Sequence, residues 1–236
     1  MAQEGGDRPV CRMWNGSPLA DQPRGTRPHP STRPSSPPGV VYAAEWLSRF
    51  RALYDAEAED PRTSLGLFYE RHRRFVAAPN GGGPNRPEYT YEEWNRAFAA
   101  FLGSLARDFG LVQTEDWTNE PQLIWIWHGR PERPAVTIRE AKVATDSVVR
   151  EDLPSVVGSG ALLTVLVLYP DFPAPAGVVT FDEAIEHWRG RVGQELSNLG
   201  MGGEFLLTAI SAFDWGLPAP WRGYAWHPVE RAMKPV

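Results

Sequence analysis

Two side chains near the middle of the chain have the types and spacing for a shared chemical task. In the stretch Val136-Thr137-Ile138-Arg139-Glu140-Ala141-Lys142, β-branched and apolar residues mark a strand. Strand side chains alternate between faces, so Glu140 and Lys142 leave on the same one. A carboxylate is a hard oxygen ligand for a divalent cation. An ammonium beside it can orient an attacking water or neutralise a phosphoryl group. A Glu-x-Lys triplet by itself equally describes an ion pair at the rim of a sheet, which adds little to stability. The elements that carry the triplet decide between these readings.

The apolar pattern gives those elements in order. Trp46, Leu47, Phe50, Leu53 and Tyr54 recur at helical spacing over 42–54, and Leu65, Phe68, Phe75 and Val76 do so over 64–76. The Gly-Gly-Gly-Pro run at 81–84 then marks a boundary. Thr90 with Glu93 forms a capping box ahead of a stripe of Trp94, Phe98, Phe101, Leu102, Leu105 and Phe109, with Gly110 as the stop. Strands follow at Leu111 to Thr114, at Leu123 to Trp127, which is apolar throughout and reads as buried on both faces, and at Ala135 to Lys142. The hairpin region between the last two spans His128 to Pro134. A helix over Ser147 to Val157, a buried strand over Leu162 to Tyr169, a helix opened by the Thr180/Glu183 capping box and a strand over Glu204 to Phe213 complete the order. Three strands in a meander followed by a helical crossover imply an α/β fold, a mixed central sheet flanked by helices.

A helix, a three-strand meander whose third strand ends in Glu-x-Lys, and a helical crossover into a buried strand resemble the PD-(D/E)XK nuclease superfamily. The match covers roughly residues 90–170. The resemblance implies a restriction endonuclease-like αβββαβ core and magnesium- or manganese-dependent hydrolysis of phosphodiesters in nucleic acid. In that reading Glu140 ligates the metal and Lys142 positions the water. The family's second strand opens with Pro-Asp; the matching place here is Pro121-Gln122. Gln122 offers an amide oxygen without the charge that draws a divalent ion from water. Glu120, just upstream, and Glu93, at the start of the preceding helix, are the acids that would complete the shell, although the capping box already accounts for Glu93. Either another carboxylate substitutes or the centre is inactive. The alternative is therefore a catalytically inactive nuclease-like scaffold acting in protein–protein interaction.

Arg71, Arg73 and Arg74 form the densest basic run and are the candidates for touching nucleic-acid phosphates, against the plainer reading of a solvated helix face. No histidine pair has the spacing of a zinc motif, and the single Cys11 excludes a cysteine zinc site and an internal disulfide. Ser159, in Gly158-Ser159-Gly160, lacks the flanks of a nucleophile elbow and reads as a loop serine. Trp215, Trp221, Tyr224 and Trp226 lie in a Pro/Gly-rich C-terminal stretch and read as core lining rather than a stacking platform.

Residues 1–40 hold 8 prolines, 5 glycines and 5 arginines with almost no apolar periodicity, so they read as a disordered tail of net charge +2. The whole chain carries −5, which leaves −7 on the remainder, and an acidic body opposes broad electrostatic binding to nucleic acid. The expected organisation is a tail over 1–40, a helical extension over 41–80 and the nuclease-like domain over 88–236. The longest apolar run, Ala161 to Tyr169, is too short to cross a bilayer, and no secretory signal is readable at the N-terminus. A cytoplasmic protein without membrane partners is expected.

Overall fold

The structure is a computed structural model that describes residues 41–76, 91–116, 122–127, 130–141, 144–170, 175–178, 180–210 and 221–236. They belong to one unit running from Ser36 to Val236. The expected tail over 1–40, the Gly-Gly-Gly-Pro run and Thr90 of the first capping box lie outside the described residues.

Three helices come first. Helix α1 (Ala43–Glu59) buries Trp46, Leu47, Phe50, Tyr54 and Ala58, the four-residue recurrence that sets one face against a core. Its first free amide, on Ala43, donates to Glu204 Oε2 at 3.3 Å. The turn to α2 (Ser64–Val76) is fixed by Thr63. The Thr63 hydroxyl donates to the Glu57 and Asp60 carbonyls and accepts from the Gly66 amide at 2.9 Å. Helix α3 (Tyr91–Asp108) buries Trp94, Phe98, Phe101, Leu102 and Leu105, and Gly110 ends it at φ +71°.

A seven-stranded sheet follows in sequential order: β1 (Leu111–Asp116), β2 (Gln122–Trp127), β3 (Arg130–Ala141), β4 (Leu163–Leu168), β5 (Glu204–Ala209), β6 (Arg222–His227) and β7 (Ala232–Pro235). The central pairs β3–β4 and β4–β5 are parallel; the two pairs on each wing are antiparallel. The parallel steps need crossovers. The first is a π-helical turn (Val148–Asp152) running into α4 (Leu153–Val157), and the second is α5 (Phe181–Asn198). Every residue of β4 is buried, as a central parallel strand covered on both faces must be.

Two apolar layers sandwich the sheet. Against one face, α1, α2 and α3 pack Trp46, Phe50, Phe98 and Phe101 on Trp125, Val136, Ile138 and Val165. Against the other, Ile185, Trp188, Val192 and Leu196 of α5 pack with Val149 and Leu153 on Leu166, Phe205 and Leu207. This is the α/β architecture with a mixed sheet flanked by helices that the sequence pattern calls for.

Several local expectations change. Strand β3 starts at Arg130, not Ala135, so most of the expected hairpin region is strand, with irregular pairing at Ile126 and Trp127. Among the described side chains of β2, only Trp125 is fully buried, while Leu123, Ile124 and Ile126 are half-buried, because β2 lies next to the edge strand β1. The C-terminal stretch holds two strands, β6 and β7, that composition did not announce. Its aromatics Trp221, Tyr224 and Trp226 are buried, as expected of core lining; Trp215 lies outside the described residues.

Candidate functional site

Alternation along β3 sorts the residues of the Glu-x-Lys strand. Val136 and Ile138 face the layer of α1 to α3, and Glu140 continues that row; Ala141 and Arg139 face the other way. Glu140 pairs in parallel register with Val167 of β4, so Tyr169, two residues further, emerges on the same face. The N-terminal turns of α3 bring Trp94 over this corner.

The three side chains meet. Tyr169 Oη donates to Glu140 Oε1 at 2.6 Å, and Trp94 Nε1 donates to the same oxygen at 2.9 Å. Trp94 Nε1 also lies 2.8 Å from Tyr169 Oη, a bifurcated arrangement that closes the triangle. Tyr169 is wholly buried and Trp94 nearly so, while Glu140 is half-buried. Trp94 is held by Phe98, stacked at 5.1 Å between centroids, and by Phe68 at 5.3 Å. Burial pushes the Tyr169 phenol well above its ordinary range, and the neighbouring carboxylate adds to the effect, since a phenolate there would be both desolvated and repelled. The hydroxyl therefore stays a donor.

The other sequence candidates are distributed differently. Glu93 faces Arg71 across the α2–α3 contact at 3.6 Å, both partly exposed. Gln122 stands in Cα register with Arg139, one step out of the row that contains Glu140. Lys142 and Glu120 lie outside the described residues, as do the side chains of Gln122, Arg73 and Arg74. Ser159 shares a hydrogen bond with the buried Thr137 at 3.1 Å and accepts from the Ala161 amide, the behaviour of a structural loop serine. On the opposite face Arg139 donates to Asp152 Oδ2 of the π-helical turn at 3.1 Å.

Magnesium takes a near-octahedral shell of oxygens, commonly one or two carboxylates with waters and substrate phosphates making up the rest. Among the described residues, no three His, Cys, Asp or Glu side chains converge on a common point. Glu140 Oε1 already takes two hydrogen bonds, while Oε2 has no hydrogen bond among the described residues. Among the described donors, Glu140 thus offers a cation its free Oε2 and no clustered partners. Trp94 and Tyr169 are the functional partners that sequence reading missed. The Leu162–Tyr169 run reads as a continuous buried strand, which by itself gives Tyr169 no face, and nothing local tied it to Glu140.

No family model matches the sequence, and no curated protein is similar to it at a significant level. Among solved structures, the central domain of yeast acetyl-CoA carboxylase superposes with a TM-score of 0.33 and 11% identity. That overlap takes in 77% of this chain and spans about a third (34%) of the other.

Proposed function

We propose that this chain is a non-catalytic scaffold on a nuclease-like αβββαβ frame, acting through contacts with a protein partner. The observation that carries the reading is the use made of Glu140. Its Oε1 ties the start of α3 to the end of β4 through two buried donors, and among the described residues it belongs to no group of three His, Cys, Asp or Glu side chains that could share a cation. The acidic body supports a protein over a nucleic-acid partner, because phosphate neutralisation supplies most nucleic-acid affinity.

A second reading, divalent-metal-dependent phosphodiester hydrolysis, is favoured by position. Glu140 closes the third strand of a helix, meander, helical crossover and strand order, and Lys142 follows it at the family's spacing. In that reading Glu140 would ligate magnesium or manganese and Lys142 would orient the water.

Titration calorimetry with manganese and with magnesium, on the wild type and on Glu140→Gln, separates the two. The scaffold reading expects no saturable site that depends on Glu140, and no cleavage of single- or double-stranded DNA or RNA. One site lost in Glu140→Gln, with cleavage silenced by Lys142→Ala, would overturn it in favour of the hydrolase.

A further inference from the structure

Away from Glu140, the structure holds a cleft of about 860 Å³ between the α1–α2 turn, the middle and end of α3, and the start of β1. Its volume is that of a small-molecule site. Three guanidiniums line it, from separate places in the fold: Arg62 on the α1–α2 turn, Arg96 in the middle of α3 and Arg107 near its end. Glu57, Ser104 and Gly103 complete the part that matters. We infer that this cleft binds a small phosphorylated polyol, a sugar phosphate or nucleoside phosphate, with the arginines on the phosphate and Glu57 on the hydroxyls.

The charge arrangement favours a phosphate. One carboxylate offers two oxygens and is satisfied by a single guanidinium fork, whereas a phosphate monoester brings three oxygens and nearly two charges. Arg107 donates to the Ser104 hydroxyl at 3.0 Å, and no carboxylate is within ion-pair distance of it among the described residues. Arg96 reaches Glu92 at 3.4 Å with both groups strongly exposed, and Arg62 holds Asp60 of its own turn. The exposed Arg96–Glu92 pair contributes little, so Arg96 can exchange its carboxylate for a dianion at small cost, while Arg62 is held bidentately by Asp60 and lends its charge from that position.

Two further features fit a ligand. Glu57 is partly buried, and desolvation raises its carboxyl against the opposing pull of Ser104 and Arg107. A group so placed gains from accepting sugar hydroxyls. Gly103 sits inside an 18-residue helix, where glycine is unfavourable relative to alanine. A Cβ there would lie 3.6 Å from Gln113 Nε2 and 3.7 Å from Arg107 Nη1, so the backbone tolerates a side chain. The missing side chain leaves the floor of the cleft open beside the guanidinium.

This inference is independent of the role of Glu140. The test is titration of the full chain with ribose 5-phosphate, followed by amide shifts of Gly103 and Ser104, with ribose and inorganic phosphate as separate arms. Saturable binding of ribose 5-phosphate is expected, stronger than either arm, weakened about tenfold in Arg107→Gln. Gly103→Leu should abolish it with an unchanged far-ultraviolet spectrum. The inference is overturned by no saturable binding to the wild type, by binding indifferent to both substitutions, or by inorganic phosphate binding as tightly as the sugar phosphate.

Discussion

Tyr169→Phe tests the corner around Glu140 in a way that loss of packing cannot imitate. The substitution keeps the ring, which is wholly buried at the end of β4, and removes only the hydroxyl that donates to Glu140 Oε1 at 2.6 Å. A hydrogen bond to a charged acceptor contributes about 1.5–3 kcal/mol, and the lower end applies because Glu140 is half-exposed. The variant should therefore be about 1.5 kcal/mol less stable near neutral pH. The gap must then depend on pH, and the sign follows from linkage. The Tyr169 phenol is raised in the folded state above its ordinary value of 10.0, so above that pH the unfolded chain loses a proton that the folded chain keeps. Stability conferred by Tyr169 is full below that value and falls as pH rises toward the raised one, by about 1.4 kcal/mol per pH unit for one proton. Phenylalanine has no such proton. Tyr54, raised in the same direction chiefly by its own burial, is present in both proteins, so its main contribution is common to them and only its minor coupling to Tyr169 differs. Urea unfolding followed by tryptophan fluorescence, repeated from neutral to alkaline pH, should show the two stabilities converging at about one unit above the ordinary phenol value. A gap that stays constant to that point would refute a buried phenol donating to Glu140.

Two other substitutions probe the frame. Gly66→Ala inverts the usual helix rule: on an open helix it would gain about 1 kcal/mol, but here a Cβ would overlap the Asp60 carbonyl oxygen and lie 2.7 Å from that of Glu57. Both obstacles are backbone, so the α1–α2 turn must open, and chemical denaturation should show a loss of about 2 kcal/mol or more. Thr180→Ala removes the side chain that accepts from the Glu183 amide at 3.2 Å while Glu183 caps the Thr180 amide at 3.1 Å. It should cost about 1 kcal/mol by the same measurement, and Thr180→Ser should restore most of it.

What could be read before any coordinates was whatever the chain settles locally. The Thr180/Glu183 box and the apolar run of β4 need only neighbours within a few residues, and both stand where the sequence puts them. Strands β6 and β7 are different. A Pro/Gly-rich stretch becomes strand because β5 offers it a ladder, with Leu206 opposite Ala225, and because Gly223 has no side chain to collide with Leu47 of α1. Neither condition is visible in residues 221–236 alone.

The same distinction governs the candidate site. That Glu140 faces the α3 layer follows from alternation; that it meets Trp94 and Tyr169 depends on 46 and 29 intervening steps of chain being folded first. Register settles the rest. Had Trp127 paired with Ala135, where the apolar pattern begins the third strand, Gln122 would have stood opposite Glu140. The irregular pairing near the turn puts Trp127 against Arg130 instead, and the ladder then runs with Gln122 opposite Arg139. A shift of one residue moves a side chain to the other face of a sheet. In the hydrolase reading, that single step separates Gln122 from the row of Glu140. In the described structure, the groups that close on Glu140 are an indole and a phenol, which fix a carboxylate in place but bring no charge of their own to hold a cation.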